Sequence, residues 1–184
     1  MTEIIQRGTL LLSEPFLADE NFVRSVVLIC EHNEQGSFGL VLNKETTFQL
    51  TDVAEVNLSL PIPLFVGGPV EINTLHFLHA QGSEIQGGIP IADGLIWGGD
   101  FEEMRVNMLS GKIDDSQIRY FIGYSGWDTG QLESELDEKA WIVYNRNLTN
   151  LLQIEHHQLW RTLMNELGGT YKEMANYPLD PSMN

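Results

Sequence analysis

The run Gly123-Tyr124-Ser125-Gly126-Trp127 sets a serine at the end of a strand-like stretch, where a serine nucleophile is often presented. A nucleophile elbow needs glycines two positions before and two after its serine, and position 127 is Trp. The spacing therefore predicts a strand ending in a tight glycine turn, with Trp127 packed over it. The other candidate nucleophile is Cys30, the single cysteine, two residues before His32. Residues two apart on a strand share a face, so the two side chains are expected to project together from Cα atoms about 6–7 Å apart. A charged imidazole at that distance would favour the thiolate. Packing is the competing expectation, because Cys30 ends an apolar run and free cysteine is among the most buried residue types.

Glycine marks the other positions of interest. Gly67-Gly68-Pro69 and Gly126 are expected where a Cβ would strain the backbone, or where backbone approaches a ligand. Trp97 and Trp127 each abut a glycine turn, where a large side chain can line a cleft, whereas Trp141 and Trp160 read as core. The candidate ligand contacts are thus Cys30, His32, Gly67, Gly68, Trp97, Ser125, Gly126 and Trp127. No catalytic set and no cofactor emerge, since neither Gly-x-x-x-x-Gly-Lys-Ser/Thr nor Gly-x-Gly-x-x-Gly occurs. No metal site is expected either. His156 and His157 stand about 100° apart on a helix, His76 and His79 fall on opposite faces of a strand, and one thiol makes no cage.

Charge narrows the partners. The chain has 26 acidic and 10 basic side chains, a net −16, with the basic residues scattered singly. DNA binding requires clustered Lys and Arg to neutralise phosphates, so direct nucleic-acid binding is not expected. Anionic membrane surfaces are disfavoured by the same repulsion. Without a run of about 18 apolar residues no spanning helix is predicted, and Met1–Gly8 has no signal-peptide pattern. Together with an unpaired cysteine, this points to the cytoplasm. The sequons at Asn57 and Asn147 then read as chance matches.

The elements that must position these residues are mostly strands. Expected strands span 8–12, 25–30, 38–43, 64–66, 74–80, 117–124 and 141–144, with short apolar runs at 89–91 and 95–97 between glycine pairs. Pro61 and Pro63 argue against a helix in 44–63. Asp100 and Glu103 form a capping pair for a helix ending before Gly111. Leu132, Leu136 and Ala140 predict a helix over 131–139, with a Glu135–Lys139 ion pair and the acids Glu133, Glu135, Asp137 and Glu138 facing water. Leu159, Trp160, Leu163, Met164 and Leu167 make an apolar stripe on a helix over 155–167, stopped by Gly168-Gly169. The tail from Tyr177 reads as extended. Strands in runs rather than alternating with helices define α+β, in one domain over 1–184.

The segments Glu14-Pro15, Arg24-Ser25-Val26-Val27, Cys30-Glu31-His32-Asn33, Gly39-Leu40-Val41-Leu42-Asn43, Gly67-Gly68-Pro69-Val70, Gly123 to Trp127 and Gly130 to Glu133 together resemble the YqgE/AlgH family. The Trp160 helix ending in Leu167-Gly168 matches as well, and the resemblance is strongest over 8–175. It implies a curled, barrel-like, mainly antiparallel sheet with a few packed helices, in bacterial cytoplasm. The family carries the label of transcriptional regulator but no settled activity, so no catalytic residue is carried over. The expected function is that of a non-enzymatic regulatory or binding domain with a protein or small-molecule partner. The alternative is a thiol-dependent enzyme or redox-responsive protein using Cys30.

Overall fold

A computed structural model describes residues 4–55, 61–80, 85–92 and 94–178. The Asn57 sequon and the end of the expected extended tail lie outside them. Ten strands form one mixed sheet in the order β10-β1-β2-β3-β9-β6-β8-β7, with β4 and β5 branching from β9. Their ranges are β1 Leu10–Ser13, β2 Val26–Asn33, β3 Gly36–Val41, β4 Glu45–Gln49 and β5 Pro63–Val66. They continue with β6 Val70–Ala80, β7 Ile89–Ala92, β8 Leu95–Trp97, β9 Ile118–Asp128 and β10 Trp141–Tyr144. All pairings are antiparallel except β5 with β9. The sheet curls but does not close, which defines an α+β fold.

Short apolar runs become strands buried on both faces. Leu10, Leu12, Leu28 and Leu40 point to the face covered by α4 (His156–Leu167), while Leu11, Val27, Ile29 and Val41 point to the face under α3 (Gln131–Asp137). A second core joins Phe77, Ile118 and Tyr120 to Met104 of α2 (Phe101–Leu109). Asp100 caps α2 by accepting from the Glu103 amide at 2.8 Å. The Glu103 carboxylate instead accepts from the Gln86 amide, tying α2 to the preceding loop. The stripe of α4 is seated as its periodicity demands, with Leu159, Trp160, Leu163 and Met164 buried.

Three local expectations change. The segment 44–63 holds strand β4 and a single turn, α1 (Leu50–Val53), because Asp52 caps the Gln49 amide well before the prolines act. The chain beyond Gly168 starts another helix, α5 (Gly169–Met174), through the left-handed Gly168. Glu135 makes no ion pair with Lys139. Its carboxylate accepts from the indole N–H of Trp127 at 2.9 Å and of Trp141 at 2.7 Å, which fixes α3 against the sheet.

Gly67 and Gly68 cross β9 at close quarters. A Cβ on Gly67 would lie 2.3 Å from the Gly123 carbonyl oxygen, and one on Gly68 2.2 Å from Tyr124 backbone atoms. Gly126 differs, since its Cβ would meet only the Tyr124 ring edge at 3.2 Å and its φ is ordinary. Gly68→Ala is accordingly expected to cost at least about 2 kcal/mol, whereas Gly126→Ala should stay within about 1 kcal/mol of the parent. Urea unfolding midpoints measure both. Leu163→Ala, in the core beneath α4, should cost about 2–5 kcal/mol in the same assay.

Candidate functional site

Strand pairing brings four rings from four strands onto one patch of the sheet. Register sets Phe38 opposite Gly126, His76 opposite Phe121 and Trp97 opposite Leu78. Phe38 stacks on Tyr124 with centroids 4.6 Å apart and on Trp97 at 4.6 Å. His76 meets Phe38 at 5.4 Å and Tyr124 at 6.0 Å, both edge-on. Because Gly126 has no side chain, the Tyr124 ring can lean over it toward Phe38. All four rings are half-buried, and they separate two clefts. One, of about 420 Å³, is walled by His76, Trp97 and Phe101 with Gly98-Gly99. The other, of about 530 Å³, is walled by Phe38, Tyr124 and Trp127 with Glu31, Gly126 and Asp128 at its rim.

Burial lowers the pKa of His76, against a weaker opposing effect of Glu71. Its Nε2 is buried without a hydrogen-bond partner. His79 lies on the opposite face, fully buried, with Nε2 2.9 Å from the Gly98 carbonyl. Burial lowers its pKa as well.

The expected Cys30–His32 pairing does not form. Ile29 pairs with Gly39 and Glu31 with Phe38, so Cys30 is the extra residue of a β-bulge. A bulge resets the alternation of faces. Cys30 enters the core beneath α4, while His32 turns to the other face, where its Nδ1 lies 2.8 Å from Ser37 Oγ and its Nε2 3.9 Å from Glu133. Burial pushes the Cys30 thiol far above its usual range, with only partial relief from Arg7. Its Sγ faces the Leu28 carbonyl at 3.7 Å.

Of the remaining sequence candidates, Trp97 and Trp127 do line the clefts, and Gly126 floors the second. Ser125 is buried and donates to the Gly67 carbonyl at 3.0 Å, so it serves the backbone crossing rather than a cleft. Gly67 and Gly68 belong to that crossing too. Phe38, His76 and Tyr124 were not among the sequence candidates; the odd-even parity of each strand was visible, but not which strands adjoin.

A third cleft, of about 400 Å³, has Arg119 on its wall. Burial lowers the Arg119 pKa to about 10, opposed by Glu155 and Glu45. Arg119 is committed to structure, donating to the Leu42 and Leu152 carbonyls at 3.0 Å each and lying over the Phe65 ring. At its mouth Glu155, His156 and His157 each offer a ligand atom within 4.8 Å of the others. The expected divergence of the two histidines does not hold, since their rings stand edge-to-face at the first turn of α4 with centroids 5.4 Å apart. These are the described residues that could hold a divalent cation, although His156 already meets Glu45 at 2.9 Å.

A curled, open α+β sheet carrying an aromatic patch between two clefts is the class these features define. The chain belongs to the AlgH-like family, whose model (DUF179, AlgH-like) matches residues 10–172. A UPF0301 protein of Cytophaga hutchinsonii is 41% identical over 182 residues, 98% of this chain and 100% of that protein. Another, from Bacteroides thetaiotaomicron, is 40% identical over 97% of this chain and 91% of its own length. Among solved structures, the AlgH protein from Pseudomonas aeruginosa is similar with a TM-score of 0.73 and 25% identity, covering 97% and 98% of the two chains. Protein DIP2367 of Corynebacterium diphtheriae shares the fold with a TM-score of 0.76.

A sealed thiol should resist alkylation. Native Cys30 is expected to react with iodoacetamide at pH 8 at least about a hundredfold more slowly than the urea-unfolded chain. His32→Ala should leave the native rate unchanged, as mass spectrometry of the modified protein would show.

Proposed function

We propose that this chain is a non-enzymatic binding domain whose contact face is the patch of Phe38, His76, Trp97 and Tyr124. The single observation that carries the reading is the stack itself: four half-buried rings, from four strands, left open on two clefts. Aromatic side chains dominate contact energetics because they present large rigid area with little entropy to lose. The two nucleophiles that the sequence singled out are used elsewhere, Ser125 in the β9 crossing and Cys30 in the core. Regulation in this reading runs through contact with a protein partner rather than DNA, in keeping with the net charge of −16. The bacterial cytoplasm is the proposed compartment, supported by bacterial relatives and an unpaired cysteine. Among the described residues no helix is long and apolar enough to cross a membrane.

Indole, a flat apolar probe, tests the contact face. In two-dimensional amide NMR it should shift residues around the two clefts, and Trp97→Ala should weaken that response severalfold. Shifts spread evenly over the chain, or centred on another surface, would remove the reading. In fluorescence anisotropy at low salt, duplex DNA should show no binding below about 1 µM protein. Submicromolar binding that weakens steeply with salt would refute the exclusion of DNA.

A further inference from the structure

We infer that the cleft between Phe38 and Tyr124 takes an arginine side chain from an extended segment of a partner protein. This rests on the binding-domain reading and names the chemistry of its partner. Among the residues lining this cleft there is no Lys, Arg or His, while Glu31 and Asp128 both stand at its rim. Both carboxylates are exposed, and neither has a cation within ion-pair distance among the described residues. An open aromatic face beside two uncompensated carboxylates is the arrangement that attracts a cation. The ring quadrupole draws charge to its face, and the carboxylates supply the counter-charge.

Arginine fits better than lysine. Its planar guanidinium stacks on a ring while its edge N–H groups reach carboxylates in the same plane. The Phe38–Tyr124 pair is stacked on itself, 4.6 Å apart and 28° from parallel, so the guanidinium meets the ring surface this stack leaves toward the cleft and not a slot between the rings. A cleft of about 530 Å³ holds more than one guanidinium. Gln35 lines the cleft and can serve the peptide groups that flank the arginine. The Asn33 and Gln131 amides hold the site's own frame, donating to Glu31 and Glu135 and accepting from the Gln35 and Asp128 amides. The net charge of −16 steers a basic segment toward this surface from a distance.

The test uses the full chain and a capped peptide, acetyl-Gly-Arg-Gly-amide, against its citrulline counterpart, which keeps the shape and loses the charge. Amide shifts at Gly36, Gly126 and Asp128 report on the cleft. The arginine peptide is expected to bind at least tenfold more tightly than the citrulline peptide. Tyr124→Ala and, separately, Glu31→Gln should each weaken it threefold or more, and Glu31→Gln alters only an exposed side chain. Equal binding of the two peptides would overturn the inference. So would an arginine response that survives both substitutions, since that would be unspecific attraction to an acidic surface. If indole marks the clefts and the arginine peptide does not, the cation assignment fails while the contact face stands. If neither probe marks them, both readings fall.

Discussion

The close crossing of Gly67-Gly68 over Gly123 to Ser125 is the constraint on which the architecture turns. The Gly67 amide donates to Ile122, and the Gly67 carbonyl accepts from both the Val41 amide and the Ser125 hydroxyl. One residue therefore links β3, β5 and β9. Side chains on either glycine would push the two backbones apart, because carbonyl atoms would lie within 2.3 Å of the added carbon. Gly123 completes the arrangement with φ at +66°, a conformation that costs glycine little and other residues more.

This crossing lets β9 serve both halves of the sheet. Its first residues pair with β5 and β6, and its last with β3. Its side chains enter all three cores: Phe121 beneath α4, Tyr120 against α2, and Trp127 beneath α3. Tyr120 anchors its hydroxyl 2.8 Å from Met104 Sδ, and Trp127 its indole on Glu135. A strand held on three sides is a rigid support. Tyr124 and Gly126 sit on its outer reach, so the aromatic patch is positioned by the best-fixed strand of the fold.

How much of this could be read from the sequence depends on the range of the physics involved. The α4 helix was legible because a stripe of Leu159, Trp160, Leu163 and Met164 repeats at helical spacing and ends in glycine. The importance of Gly67 and Gly68 was legible from their type, though not the partner they approach. Cys30 and His32 were misplaced because a bulge shifts parity without leaving a mark in the residue types. Glu135 was read as a solvent-facing helix acid, since nothing local reveals two indole donors that arrive from β9 and β10. Phe38, His76 and Tyr124 escaped notice for the same reason, and Trp97 was singled out by its glycine turn rather than by these neighbours. Their proximity follows from strand order, which is decided by tertiary packing.

Partly exposed aromatic stacks are a liability in a soluble chain, because apolar surface invites unspecific association. Here acidic side chains outnumber basic ones 26 to 10, and the net charge of −16 repels further copies of the same chain. The same field does not repel a basic partner. In the binding reading proposed above, self-avoidance and partner preference come from one property of the surface, and the rings supply the short-range contact that the field alone lacks. The buried Nε2 of His76, left without a hydrogen-bond partner, is consistent with a face not optimised for stability alone. An unsatisfied buried polar atom costs about 1–3 kcal/mol, and an apolar residue there would remove that cost. An imidazole behind the stack fits the contact face proposed above, as does Gly126, whose missing side chain makes room for the Tyr124 ring.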